Sequence, residues 1–240
     1  MKASAEEIRE RFDRAVEYLS DLERGQTAIP DAPLALDLVA RAASAATPHA
    51  RHVLDVGCGA GNYALKLLQR MPGLDVTLLD LSGALLERAE ERVSSVTTGE
   101  VVTLQADVRE VELGEERFDV ILAGAVLHHL RAAAEWRATF TKLFAALRPG
   151  GSLWISDLVD HAAPEIQALM AGRYGEYLER LGGERLRDVV FAEIAEQDSP
   201  RPLLFQLDLL REVGFAGVEV LHKTSCFATF GAVRPSLLPQ

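Results

Sequence analysis

Apolar positions along this chain follow two different periods, and the change from one to the other divides it. Over residues 4–24, Ile8, Phe12, Ala15, Val16 and Leu19 fall three or four positions apart, the spacing of one face of an α-helix. Ser4 and Glu7 have the capping-box spacing that starts such a helix, and Gly25 suits its end. A second helix is predicted over 33–46, with Pro33 suited to a first turn and Leu34, Leu36, Leu38 and Val39 as its apolar content. After Pro48 the period shortens. Runs of Val, Leu and Ile predict strands at 52–56, 75–79, 101–105, 118–123 and 152–156, and helices at 62–71, 82–95 and 132–147 alternate with them. Strands that are apolar on both faces and alternate with helices make a parallel sheet covered on both sides.

The rest of the chain leaves that alternation. Residues 159–201 are an insertion, helical at 164–181 and 184–196, with Gly182-Gly183 between the two stretches. A last helix over 202–213 stops at Gly214, and strands follow at 217–222 and 226–233. The gap between these strands is too short for a crossover helix, so they are expected as an antiparallel hairpin. The fold class expected is therefore α/β: a doubly wound, mostly parallel seven-stranded sheet with an antiparallel C-terminal hairpin. Helices in 1–47 and the insertion at 159–201 are expected to cap one domain over 1–240, with 48–158 as its core and 202–240 as its closing segment.

Composition narrows the partners. The net charge of −11 and the lack of any Lys/Arg cluster count against nucleic acid, whose affinity rests on phosphate neutralisation; a small-molecule partner is expected. No apolar run reaches the roughly 18 residues of a membrane span, and the stretch Lys2-Ala3-Ser4-Ala5-Glu6-Glu7 has no signal-peptide core. Cys58 and Cys226 alone make no disulfide framework, so a cytoplasmic location is expected. A homodimer through the N-terminal helices is a further expectation.

The densest chemical signal is Val53-Leu54-Asp55-Val56-Gly57-Cys58-Gly59-Ala60-Gly61. A buried strand runs into glycines that let the backbone turn and approach a ligand, and the next helix aims its N-terminal N–H groups at it. Asn62 stands where the dinucleotide fingerprint has its last glycine. Asp80, ending the second strand, suits ribose hydroxyls whichever nucleotide is bound. Spacing alone leaves a nicotinamide cofactor open.

The order Asp55-x-Gly57-x-Gly59-x-Gly61, then Asp80, then Ala106-Asp107-Val108, then Phe118-Asp119-Val120-Ile121, then Leu147-Arg148-Pro149-Gly150-Gly151 resembles the Rossmann-fold (class I) S-adenosylmethionine-dependent methyltransferase family. The likeness is dense from Val53 to Ile155, and the closing hairpin after Gly214-Phe215 fits it. It implies S-adenosylmethionine as cofactor. Gly57, Gly59 and Gly61 would bring backbone near its methionine moiety, with Asp55 orienting the ammonium and Gly124 passing close by. Asp80 would accept the ribose hydroxyls with Leu81 against the adenine, and Asp107 would take the adenine amino group beside the Val108 backbone.

Methyl transfer from a sulfonium is an in-line displacement, so the protein must align the acceptor and, for oxygen or nitrogen, remove a proton. His128 and His129 follow the fourth strand, and Asp157 follows the fifth on the same edge. These are the candidate catalytic residues, with His128 expected to face the site because adjacent side chains diverge. Asp157 would orient an imidazole or hold the acceptor. No His, Cys or acid pair has metal-ligand spacing, so no metal is expected. Acceptor specificity is expected from the N-terminal helices and the insertion, with Tyr18, Arg173, Tyr174, Tyr177 and Arg180 as lining.

The end of the chain, Leu210-Arg211-Glu212-Val213-Gly214-Phe215 through Cys226 to Gly231, is similar to the carboxy-S-adenosylmethionine synthase branch of transfer-RNA wobble-uridine modification. That branch holds its extra carboxylate with an arginine of the last helix, where this chain has Leu209, with Arg211 two residues off. The function expected is methyl transfer to oxygen or nitrogen of a small molecule. Carboxy-S-adenosylmethionine synthesis and a non-catalytic cofactor-binding protein are the alternatives.

Overall fold

The computed structural model describes residues 2–14, 16–20 and 27–236. Its centre is β1 (His52–Val56), a strand whose Val53, Leu54 and Val56 are fully buried. It pairs in parallel with β2 (Asp75–Asp80) on one side and β4 (Phe118–Gly124) on the other. Outside these lie β3 (Val101–Gln105), parallel to β2, and β5 (Leu147–Leu158), parallel to β4. The expected hairpin is β6 (Ala216–Thr224) with β7 (Phe227–Val233), and β7 runs antiparallel to both β6 and β5. The sheet order is β3-β2-β1-β4-β5-β7-β6, the seven-stranded α/β architecture expected.

Helices cover both faces, which explains why the central strands carry no alternation of apolar and polar residues. Those with bounds Ala5–Arg14 (α1), Val16–Ser20 (α2), Ala32–Ala46 (α3), Asn62–Leu68 (α4), Gly83–Ser94 (α5) and Ala133–Ala146 (α6) precede β5; Pro164–Gln197 (α7) and Leu203–Val213 (α8) follow it. One face packs Trp136, Phe140 and Leu143 of α6 and Leu210 of α8 on Leu54, Ile121 and Phe230. The other packs Val39, Leu67 and Val93 on Val53, Leu78 and Leu122. A third cluster, with Leu158, Tyr174, Leu178 and Cys226, sits beneath α7.

Sequence boundaries and observed ones differ where the backbone bends without a helix. The strand expected at 152–156 begins at Leu147, because the sheet register jumps from Phe118↔Leu147 to Val120↔Ser152 and absorbs Arg148-Pro149-Gly150-Gly151 as a bulge. Asp119 holds that corner: it accepts the Arg51 and His52 amides at 2.9 Å each and two contacts from the Arg148 guanidinium at 2.9 and 3.0 Å. Helix α7 kinks at Gly182-Gly183, where Gly183 has φ 77°, at the break the sequence placed. The expected end of the first helix at residues 21–24, its stop at Gly25 and the side chain of Tyr18 lie outside the described residues. Among the described residues no helix is long and apolar enough to cross a membrane.

Candidate functional site

The parallel strands β1, β2, β3 and β4 all end at one edge of the sheet, and a cavity of about 370 Å³ opens there, within the range of small-molecule and cofactor sites. Parallel strands separated by crossover helices must all present their C-terminal ends on the same side, so the loops that follow them converge. This is where the glycine turn, Leu81 and the residues after β3 and β4 meet.

Gly57 and Gly59 line the cavity with φ of 62° and 52°, a backbone region that residues with a Cβ enter at a cost. A Cβ on Gly57 would stand 2.4 Å from Val126 Cγ2, whereas one on Gly59 would meet nothing within 4 Å. The first glycine is thus required by packing, and the second leaves open space toward the cavity. Gly61 is the N-cap of α4 and is not part of the wall. Gly124 lines the cavity, and a Cβ there would strike the Tyr63 ring at 2.2 Å.

The acids differ in how they meet the cavity. Asp80 lines it, and its two oxygens accept the Gly59 and Ser82 amides at 2.9 Å each. Burial pushes its carboxyl up, against the pull of those amides. Asp107 lines the cavity paired to Arg109, with contacts from Nε at 2.9 and 3.0 Å. Burial raises that carboxyl, but the Arg109 hydrogen bonds and charge outweigh it and hold it below the usual range. Leu81 and Val108 are in the wall as expected.

Asp55 departs from its expected place. It is fully buried behind the glycine turn and contributes nothing to the wall, because it sits mid-sheet and its Oδ2 accepts the Ala64 amide at 3.0 Å inside α4. Its Oδ1 has no partner, and burial pushes its pKa up to about 7.

The histidines are placed in the reverse of the expected order. Leu127–His129 forms a single 3₁₀ turn after β4, and within it His129 lines the cavity while His128 points behind. His128 Nδ1 bonds Asp157 Oδ1. Asp157 also accepts the amides of Leu127 and Leu158 at 2.7 Å each, so it fixes the turn and the imidazole together and has no group left for an acceptor. The reason is geometric: a 3₁₀ turn advances each residue by about a third of a revolution, and the partner acid on β5 captures His128.

Sequence reading missed Asp198. It caps the C-terminal end of α7, and its Oδ1 lies 3.6 Å from His128 Nε2 and 3.2 Å from His129 Nδ1. The Ser199 amide donates to the His128 carbonyl at 2.7 Å and locks the two segments together. Burial lowers the His128 pKa, but the charge and hydrogen bond of Asp157 outweigh it and hold the ring at about 8. Burial and the charge of His128 lower the His129 pKa. The absence of metal-ligand spacing in the sequence does not carry over to the fold, which gathers His128, His129 and Asp198 with ligand atoms within 4.8 Å of one another. Only proximity in space reveals Asp198. By contrast, Tyr63 and Arg109 sit two residues from Gly61 and Asp107, near enough for local spacing to have suggested them.

Helix α1 roofs the cavity. Ile8 and Phe12 line it, and Phe12 meets the His129 ring edge-on at 6.0 Å. The roof is fastened by Arg11 to Glu193 at 2.6 Å, by Arg131 to the Ala3 carbonyl at 3.1 Å, and by Asp13 to the Ser82 hydroxyl. The N-terminal helices therefore line the site as expected, but the insertion does not. Tyr174 lies on the buried face of α7 with its hydroxyl on the Ala28 carbonyl at 2.9 Å, Tyr177 bonds the Thr27 carbonyl at 2.6 Å, and neither they nor Arg173 and Arg180 reach the cavity. Tyr174 instead lines a smaller apolar cavity of about 190 Å³ beneath α7.

A seven-stranded sheet with a glycine turn after β1 and an acid ending β2 defines a Rossmann-like fold with a cavity at its switch edge. Residues 53–151 match the family model described as Methyltransferase domain. A malonyl-[acyl-carrier protein] O-methyltransferase of Paenibacillus sp. (strain JDR-2) is 29% identical over 172 residues, covering 71% of this chain and 61% of that protein. A carboxy-S-adenosyl-L-methionine synthase of Trichlorobacter lovleyi is 27% identical over 195 residues, covering 76% of each. Human N-acetylserotonin methyltransferase, solved with S-adenosylmethionine, shares the fold at a TM-score of 0.62 and 16% identity, over 97% of this chain and 57% of that one. The chain spans about half to three fifths of the length of several curated relatives. Over residues 53–151 the chain is thus similar to methyltransferase domains, and it shares its fold with solved methyltransferases whose cofactor is S-adenosylmethionine. The residues fit that molecule: the open side of Gly59 admits a close ligand, and the unpartnered Asp55 Oδ1 is a buried acceptor behind the turn.

Proposed function

We propose that the protein transfers a methyl group to an oxygen or nitrogen of a small molecule seated between α1 and His129. The observation that carries this reading is His129: it lines the cavity, its Nε2 is buried without a hydrogen-bond partner, and its Nδ1 faces the Asp198 carboxylate at 3.2 Å. A buried polar atom left without a partner costs on the order of 1–3 kcal/mol, so a ligand group that pairs with Nε2 recovers that cost. When bound, the cofactor supplies an electrophilic methyl group on a sulfonium. The protein holds the acceptor in line and keeps water out, which α1 does with Ile8 and Phe12. His129 takes the acceptor's proton, with Asp198 3.2 Å from its Nδ1 to steady the charge. His128 and Asp157 act as positioning residues for that turn. Asp80 holds the ribose, Asp107 with Val108 and Leu81 the adenine, and Gly57, Gly59 and Gly124 the methionine moiety. Asp55 acts from behind the turn, where its Oδ2 accepts the Ala64 amide at 3.0 Å and holds the start of α4.

A second reading rests on the carboxy-S-adenosylmethionine synthase likeness, which covers three quarters of each chain. Two observations disfavour it. Leu209 of α8 is buried in the core, and Arg211 is exposed on Asp208 at 2.9 Å; α8 puts no guanidinium into the cavity.

The test is calorimetry with S-adenosylmethionine and S-adenosylhomocysteine at neutral pH, followed by mass spectrometry of phenol, carboxylic acid and amine panels. Binding with a product heavier by one methyl group is expected. No cofactor binding overturns the reading, and binding without any methylated product favours a non-catalytic protein. A carboxylated cofactor formed from prephenate would favour the second reading.

A further inference from the structure

We propose that His128, His129 and Asp198 form a site for a divalent transition-metal ion, Zn²⁺ in the first instance, in the wall of the cofactor cavity. Two neutral imidazoles and one carboxylate are a donor set that zinc and its first-row neighbours accept, and three protein ligands leave a position open for water or substrate. Two donors about 2.1 Å from a tetrahedral ion stand about 3.4 Å apart. Asp198 Oδ1 lies 3.6 Å from His128 Nε2 and 3.2 Å from His129 Nδ1, on either side of that value.

Three further observations point to a ligand here. His129 Nε2 is buried without a hydrogen-bond partner, and Nδ1 has only the Asp198 carboxylate before it. The other ring nitrogen of His128 is engaged by Asp157, and a metal-bound imidazole ordinarily donates its remaining N–H to a carboxylate in this way. The Ser199 amide on the His128 carbonyl, at 2.7 Å, holds the end of α7 against the 3₁₀ turn, so the three donors come from two segments already fastened together. His128 lies behind the wall and His129 in it, which puts the ion at the boundary of the cavity. The ion deepens the methyl-transfer reading: it would take over from the bare His129 ring by acidifying an acceptor hydroxyl bound at its open position. Ion binding itself does not depend on that reading.

The experiment titrates Zn²⁺ into chelator-treated, desalted protein by calorimetry and records the visible spectrum with Co²⁺ as a second probe. One ion per chain is expected. Affinity should fall at least about 10-fold in Asp198→Asn, and by about 10- to 100-fold in Asp157→Asn, which removes the carboxylate charge behind His128 without touching a proposed ligand. Circular dichroism and S-adenosylmethionine binding in the presence of chelator verify that each variant is folded. If the folded variants bind Zn²⁺ as tightly as the parent, or the parent shows no saturable binding at millimolar Zn²⁺, the proposal is overturned. Cofactor binding in chelator tests the transfer reading separately, so either can fail without the other.

Discussion

The two halves of the cavity are built in opposite ways. On the cofactor side, each group sits in a loop directly after its own strand: the glycine turn after β1, Asp80 at the end of β2, Asp107 after β3. These groups are held by near neighbours, as Asp107 is by Arg109 and Asp80 by Ser82. On the acceptor side, His129 depends on Asp157 from β5, Asp198 from α7 and Phe12 from α1, all distant in sequence. The first half is specified by local spacing, and the second by the docking of whole elements. Substitutions on the cofactor side should therefore act on affinity or local folding, and those on the acceptor side on turnover or on the docking.

The largest effect that could break this comparison is at the histidines. His129→Ala is expected to lower turnover by about 10²- to 10⁴-fold, the range for losing a proton-transfer group, with cofactor affinity changed less than about threefold. His128→Ala is expected to act on stability instead, because it strips the buried Asp157 of its partner, a loss of about 3–5 kcal/mol for a buried pair. Steady-state kinetics beside thermal melts separates them. The opposite assignment of the two defects would mean that His128 faces the acceptor.

Next come two glycines of one turn. Gly57→Ala forces a Cβ into Val126 in a left-handed backbone, and should lose both fold stability and S-adenosylmethionine binding. Gly59→Ala meets no protein atom, so its stability cost is only the backbone strain of about 1–2 kcal/mol. Its main defect should appear in calorimetric cofactor affinity. Equal melting temperatures for the two variants would refute the distinction.

The smallest effect is in pH dependence. The Asp55 pKa, at about 7 in the native state, lies above its unfolded value, so the folded protein binds the extra proton. Stability is then highest below the ordinary carboxylate range and falls as pH rises through about 7, by on the order of a few kcal/mol. Asp55→Asn should melt higher than the parent at pH 8 and nearly equal to it at pH 5. A difference in melting temperature that is the same at both pH values would show that Asp55 is ionised throughout.

What was legible follows the same division. The alternation of apolar runs and helices named five strands, the short gap after residue 222 named the hairpin, and the Gly182-Gly183 break was read correctly, because period and turn residues are local properties. The bulge at Arg148-Pro149-Gly150-Gly151 was not visible, since it exists only as a mismatch between paired strands. Tyr174 was read as a lining residue because aromatics in an insertion suit a pocket. In the fold it is on the buried face of α7, packed with Leu158, Leu178 and Cys226, and packing outranks exposure for so large a side chain.

The sequence by itself determined the α/β class, the glycine turn and the acids Asp80 and Asp107 at the cavity edge, because a parallel strand and the loop that follows it are adjacent in the chain. It also put His128, His129 and Asp157 on the active edge. Only the tertiary structure decided which histidine faces the cavity, that Asp55 lies behind the turn, and that Asp198 completes the cluster. Those outcomes depend on how α1, α7 and β5 dock, and docking is set by complementary surfaces across the whole fold, which no local spacing records.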